Sequence, residues 1–273
     1  MQNVTNKTVY ITGGSSGIGL STGRMLAQLG AHIIIFSRNQ ARLATALTEI
    51  EGRRVTSTQR FDFRALDVTD HATVQAVMGE AVKSFGTPDI LINCAGRALP
   101  HYFEEISFAQ FDETMKINLH GIWNCVSTLV PYMKSKGGTI VNTSSMAGFM
   151  GVFGYADYCA SKFGIIGLSE VLRQELRQYN IKVSVLCPPD TDTPGFATEN
   201  LTKPKETKAV SGGAGIMSPD DVAQELIKGI GRNRFMIIPG AEGKMAYFMK
   251  RYAPSLLDKI MQSAIRKVRQ DKT

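Results

Sequence analysis

Thr12-Gly13-Gly14-Ser15-Ser16-Gly17-Ile18-Gly19 lies between an apolar run at Thr8–Ile11 and an amphipathic stretch at roughly Ile18–Leu29. Glycines at such a junction allow a tight turn and a close approach of backbone to a pyrophosphate. The helix that follows supplies N–H groups and a favourable dipole. A Gly-rich turn also suits a plain strand–helix connection, but its place at the first strand-to-helix turn favours nucleotide binding.

The pattern outward from this turn is regular. His32–Ser37, Phe63–Val68, Ile90–Asn93, Thr139–Thr143, Lys182–Leu186 and Phe235–Ile238 read as further strands. Roughly Gln40–Glu51, Asp70–Phe85, Phe108–Lys134, Tyr155–Tyr179 and Pro219–Ile230 read as helices. Strands alternating with helices predict an α/β fold, a single Rossmann-type doubly wound parallel sheet of about seven strands flanked by helices. One long connection, about 188–218, carries Pro188-Pro189, Pro194-Gly195 and Gly212-Gly213-Ala214-Gly215. A connection of that length in a compact domain reads as a lid, with the glycines as its hinge. The predicted organisation is a dinucleotide-binding catalytic domain over 1–240 and a tail over 241–273.

The 273 residues are 43% hydrophobic and 20% charged, enough for one large domain with a sizeable core. Cys94, Cys125, Cys159 and Cys187 are spread without a C-x-x-C pair, which suggests neither a zinc site nor a disulfide framework. No apolar run approaches the ~18 residues of a membrane span. The expected location is therefore cytoplasmic, or peripheral at a membrane surface. The net charge is +7, and the tail from Gly240 holds eight Lys/Arg against three acids. The basic balance belongs to the tail, which argues against a nucleic-acid partner.

Tyr158 and Lys162 are four residues apart, on one face of a helix. A free phenol titrates near ~10, and a close ammonium is expected to lower that value. Ser145 could then hold a substrate oxygen while the phenol protonates it. Arg38 follows the second strand about twenty residues beyond the glycines, where an acidic residue would bond a ribose 2′-hydroxyl and Arg suits a 2′-phosphate. NADPH is therefore expected over NADH, the plain alternative being an Arg that flanks a helix start. Asp67-Val68 is expected to close the third strand, its carboxylate accepting from an adenine amine or simply solvated. Asn93-Cys94-Ala95-Gly96 ends the fourth strand, at the edge where open sheets bind ligands.

TGGSSGIG at 12–19, NCAG at 93–96, Asn118, Ser144-Ser145 and YCASK at 158–162 together resemble the short-chain dehydrogenase/reductase family. The resemblance implies that Tyr158 is the general acid, that Lys162 lowers its pKa and bonds the nicotinamide ribose, that Ser145 holds the substrate oxygen and that Asn118 anchors a water. It implies NADPH/NADP+ contacts at Gly13, Ser15, Ser16, Gly17, Ile18, Gly19, Arg38, Asp67, Val68, Asn93, Ala95, Gly96, Tyr158, Lys162, Pro188, Thr191 and Thr193, and no metal. PPDTDTPGF at 188–196, continuing through Glu199-Asn200 and Thr202-Lys203-Pro204, is similar to the 3-ketodihydrosphingosine reductases. This narrower resemblance implies reduction of a long-chain lipid ketone, 3-ketodihydrosphingosine, to dihydrosphingosine. Anchored members of that group carry longer hydrophobic segments, from which this sequence departs. The alternatives are a reductase or dehydrogenase for 3-oxoacyl thioesters, steroids or other secondary alcohols, and, in another class, a non-catalytic NADPH-binding sensor or membrane-associated scaffold.

In the tail, Met245, Phe248, Met249, Tyr252, Leu256, Leu257, Ile260, Met261, Ile265 and Val268 recur at helical spacing among Lys and Arg. A basic amphipathic helix or pair, broken near Pro254, is expected. It suits an anionic membrane surface, or it packs on the domain or on another subunit. A homo-oligomer through the long central helices is a further expectation of the resemblance, with Trp123 at the contact or in the core.

Overall fold

The computed structural model describes residues 4–212 and 215–270. Seven strands form one parallel sheet in the order β3-β2-β1-β4-β5-β6-β7. They are β1 (Thr8–Thr12), β2 (His32–Ser37), β3 (Phe61–Ala65), β4 (Ile90–Asn93), β5 (Gly138–Thr143), β6 (Ile181–Leu186) and β7 (Met236–Ile237). Parallel neighbours need crossovers, which the helices supply. These are α1 (Gly17–Gln28), α2 (Gln40–Glu51), α3 (His71–Phe85), α4 (Phe108–Met115), α5 (Gly121–Met133), α6 (Ala156–Glu175) and α9 (Pro219–Gly231). Between β6 and α9 lie two short helices, α7 (Pro194–Glu199) and α8 (Lys205–Ser211), and the chain closes with α10 (Ala241–Tyr252) and α11 (Pro254–Gln270).

Because successive strand residues face opposite ways, each central strand feeds two cores. Val9, Ile11, Ile33 and Ile35 pack with Leu26 of α1, Leu43 and Ile50 of α2, and Val222 and Leu226 of α9. Tyr10, Ile34, Phe36 and Leu91 pack with Met78 of α3, Ile122 and Leu129 of α5, and Ile165 of α6. The strand order reverses between β1 and β4. Ligands of open α/β sheets bind there, beyond the carboxyl ends of the strands.

Three details differ from the sequence reading. The third strand runs Phe61–Ala65 rather than Phe63–Val68, because its partner β2 ends at Ser37, which pairs with Ala65. Leu66 and Val68 are buried beyond it, and Asp67 lies in the loop, accepting from Thr69 N. The helix expected over Phe108–Lys134 is broken by a π-helical turn at Lys116–His120. The expected lid is largely helical, with α7 capped by Thr193 and α8 tied down by the Thr207 hydroxyl donating to Phe153 O. Of its glycine cluster, Gly213 and Ala214 lie outside the described residues.

The tail helices break at Pro254, as the sequence predicts. α11 packs on α8 and α10, burying Leu257 and Ile265 and pairing Arg269 with Glu206 at 3.3 Å. Met245, Phe248, Tyr252, Leu256 and Ile260 remain exposed. No helix among the described residues is long and apolar enough to cross a membrane.

Candidate active site

The glycine turn joins β1 to α1 beside the ends of β2 and β4. Gly13 N donates to Phe36 O at 2.8 Å, and Gly17 takes φ +52°, a conformation that favours glycine. A Cβ on Gly19 would lie 2.5 Å from Gly13 O, so the turn closes only without a side chain there. Asn39, Asp70, Ser107 and Ser218 cap α2, α3, α4 and α9 with their own side chains. Ser16, at the same position of α1, makes no such bond, and the first turn of α1 contains no acidic residue. The leading N–H groups of α1 are therefore left to accept an anion.

Two cavities meet over this sheet edge, sharing Gly96, Gly195 and Thr198. The first, about 390 Å³, is lined by Gly13, Ser16, Arg38, Arg42, Asp67 and Val68 among others. Arg38 and Arg42 are exposed, and neither guanidinium is ion-paired among the described residues. Arg42 escaped the sequence reading, although its spacing of four from Arg38 puts the two on neighbouring turns. An open helix N-terminus beside two unpaired guanidiniums fits a dinucleotide that carries a further phosphate.

The second cavity, about 430 Å³, contains the predicted chemistry: Ser145, Tyr158 and Lys162, with Ile18, Gly96, Pro188, Thr191 and Thr193. Tyr158 and Lys162 come from the start of α6, and Ser145 from the end of β5, where its hydroxyl accepts from Ala147 N. The Ser145 hydroxyl lies close enough to the Tyr158 phenol to act on its pKa, in the lowering direction. Lys162 Nζ is 5.4 Å from the Tyr158 ring centroid and donates to Thr143 O at 2.9 Å. Burial lowers the Lys162 pKa to about 8.

The phenol departs from the sequence reading. Burial pushes its pKa up, with the nearby Glu199 carboxylate adding to the rise, and the Ser145 hydroxyl opposes them only in part. Desolvation, which a sequence does not display, is the largest influence on it. Tyr158 therefore rests as a neutral phenol, the form that can give up a proton.

Other predicted residues shape the site without lining either cavity. Asn118 is fully buried; its amide donates to Arg97 O and Ser161 Oγ, and its carbonyl accepts from Arg97 N. It ties the loop after β4 to α6, leaving one lone pair on Oδ1 for a water. Asn93 is turned into the sheet, donating to Asn142 Oδ1 at 2.9 Å. Ser15 bonds Ser37, while Gly17 and Gly19 form the turn itself. Ala95 is the exception and lines the first cavity. The sequence reading also missed Tyr155, Asp190 and Glu199, all of which line the second cavity.

The family model described as short chain dehydrogenase matches residues 7–204. The chain belongs to that family. This short-chain dehydrogenase is 38% identical over 239 residues to a 3-ketodihydrosphingosine reductase of Bos taurus, an alignment covering 87% of this chain and 72% of the relative. It is 34% identical over 226 residues to a 3-oxoacyl-[acyl-carrier-protein] reductase of Thermotoga maritima, covering 81% of this chain and 89% of the relative. Its fold matches that of a short chain dehydrogenase/reductase from Burkholderia phymatum crystallised with NAD. The TM-score is 0.81 at 24% identity, covering 94% of this chain and 96% of that one.

Proposed function

We propose that this short-chain dehydrogenase uses NADPH to reduce 3-ketodihydrosphingosine to dihydrosphingosine. The observation that carries the reading is the second cavity, where a half-buried neutral phenol, a serine hydroxyl and a buried ammonium converge beside the open end of α1. Support for the substrate comes from the Bos taurus relative, a 3-ketodihydrosphingosine reductase with which alignment extends over most of the chain.

In this reading Ser16, the first turn of α1 and Gly96 hold the pyrophosphate end, and Arg38 with Arg42 holds the 2′-phosphate. Lys162 bonds the nicotinamide ribose. When bound, the nicotinamide supplies the hydride that reduces the carbonyl carbon. Ser145 donates a hydrogen bond to the carbonyl oxygen, and Tyr158 transfers its phenolic proton to that oxygen as negative charge develops there. The charge left on the phenolate is stabilised by Lys162, which is why its ammonium is kept beside the ring. Asn118 positions the frame around Lys162 and holds a relay water.

The test is NADPH oxidation with ketones of varied chain length and head group, run on wild type and Tyr158→Phe. Loss of the general acid is expected to cost about 10²- to 10⁴-fold in turnover, with NADPH binding kept. Near-normal turnover in the variant refutes the mechanism. Faster turnover of a 3-oxoacyl thioester than of the sphingoid ketone shifts the substrate toward that of the Thermotoga relative. Ketone-independent behaviour throughout favours a sensor or scaffold.

The exposed apolar residues of α10 and α11, set among Lys244, Lys250, Arg251 and Lys259, support contact with an anionic membrane, where a lipid ketone would be met. Retention by phosphatidylserine vesicles, lost on Phe248→Glu/Ile260→Glu, tests this. Exposed Phe108, Phe111 and Trp123 on α4 and α5 support a homo-oligomer.

A further inference from the structure

A charged group in the lid lies outside the proton relay. The Lys203 side chain is only 2% exposed, and its Nζ lies 2.9 Å from Glu199 Oε1 and 3.2 Å from Asp190 Oδ2. It also lies 4.6 Å from the Phe196 ring centroid. The Tyr155 hydroxyl donates to the same Glu199 Oε1. Each carboxylate thus spends one oxygen. Among the described residues, no donor reaches Glu199 Oε2 or Asp190 Oδ1.

Two carboxylates share one ammonium, so the group carries one surplus negative charge. One pair would be enough to fasten the lid, and the second carboxylate is unexplained by packing. The side chains of Glu199 and Asp190 are only 14% and 27% exposed, and a shielded negative charge is costly unless a cation arrives to balance it. Both residues line the second cavity. The other charged residues lining it are committed elsewhere: Arg97 to Glu113 at 2.8 Å and Lys162 to Thr143 O.

The group is adjacent to the chemistry. Tyr155 and Tyr158 have ring centroids 5.5 Å apart, so the hydroxyl that holds Glu199 belongs to the ring beside the proton donor. The Glu199 charge is also felt at the Tyr158 phenol, where it is second only to burial. A cation bound here would therefore belong to the ketone itself, on a carbon near its carbonyl. An α-amino ketone has that arrangement, with its ammonium on the adjacent carbon.

We propose that Glu199, with Asp190 beside it and Lys203 fixing both, forms an ammonium subsite that selects α-amino ketones over ketones lacking the amine. This deepens the ketone-reductase reading and rests on it. The subsite aligns the carbonyl with Tyr158 through the neighbouring charge, leaving the hydrocarbon chain to the apolar wall of Met150, Val152, Phe196 and Val210.

The experiment compares kcat/KM for a long-chain 2-amino-3-ketone with that for the same ketone lacking the amine, in wild type, Glu199→Gln and Asp190→Asn. Glutamine keeps the volume and the acceptor for Tyr155 and removes the charge. The amino-to-deamino ratio is expected to fall about 10- to 100-fold in Glu199→Gln, the range for losing a charge-assisted hydrogen bond, and less in Asp190→Asn. A ratio unchanged in both variants overturns the subsite, because a purely structural role slows both ketones alike. If Glu199→Gln does not fold, the Asp190→Asn ratio decides. A wild type that reduces both ketones without preference overturns the subsite and leaves the reductase standing. A wild type that oxidises NADPH with neither ketone overturns the reductase reading, and the subsite with it.

Discussion

Replacing Arg38 and Arg42 by alanine, singly and together, tests how the cofactor is chosen. Both guanidiniums line the first cavity in exposed positions, and neither would surrender an ion pair among the described residues. Folding stability should therefore hardly change. Nearby Asp67 is occupied by Thr69, whose N–H and hydroxyl both donate to it. A unit charge pair about 4 Å apart is worth about 1 kcal/mol in water and about 4 kcal/mol near a protein surface. For exposed arginines facing a phosphate, about 1–2 kcal/mol each is reasonable, or about 5- to 30-fold in affinity. Steady-state assays should show the NADPH KM rising by that factor in each single variant and by about the product in the double variant. The NADH KM should move less than about 3-fold, and added salt should erode the wild-type preference for NADPH. Equal losses for both cofactors, or no loss for either, refute the assignment of these arginines to a 2′-phosphate.

Gly148→Ala should destabilise the site, since its Cβ would lie 2.1 Å from Ser144 Oγ and 2.8 Å from Lys162 O. Overpacking of about 1–3 kcal/mol predicts a melting temperature lower by several degrees and a lower kcat. Asn118→Ala leaves the main-chain N–H and C=O of Arg97 and the Ser161 hydroxyl short of a partner. A cost of about 2–5 kcal/mol should appear as a lower urea midpoint. Lys162 gives a pH signature, because burial lowers its pKa from 10.5 to about 8. Between those values the unfolded chain binds more protons than the folded one, so stability rises with pH. Wild type should therefore gain stability over Lys162→Met as pH climbs from about 8 toward 10.5; a flat difference refutes the burial argument.

Periodic apolar runs made the alternating architecture legible, because a strand buried on both faces leaves little choice of residue. The glycine turn was legible for a similar reason: Gly17 occupies backbone space that side chains avoid, and Gly19 leaves no room for one. Tyr158, Lys162 and Ser145 were singled out by residue type and spacing, and the fold brings them to one cavity. Burial was not legible, and so the direction of the phenol's pKa was misread. The end of β3 was set by where β2 runs out, a property of the partner strand rather than of Phe63–Val68. The Asp190–Lys203–Glu199 group stayed hidden because α7 and the loop after it fold thirteen residues of chain back on themselves. Asn93 and Asn118 were recognised as important residues, but their amides turn to Asn142, Arg97 and Ser161 rather than into a cavity.

The π-helical turn at Lys116–His120 also bears on how this chain can change length. Such a turn accommodates one residue more than a regular helix would. Deleting a residue there would let the segment relax into continuous α-helix with α4 and α5 keeping their buried faces, because the wide turn absorbs the extra residue. What would move is Asn118, which lies within the turn and reaches Arg97 and Ser161 from it. A deletion elsewhere in α4 or α5 would instead rotate one flank by about 100° against the other. The loss of a residue at this turn should therefore be felt in the site before it is felt in the core.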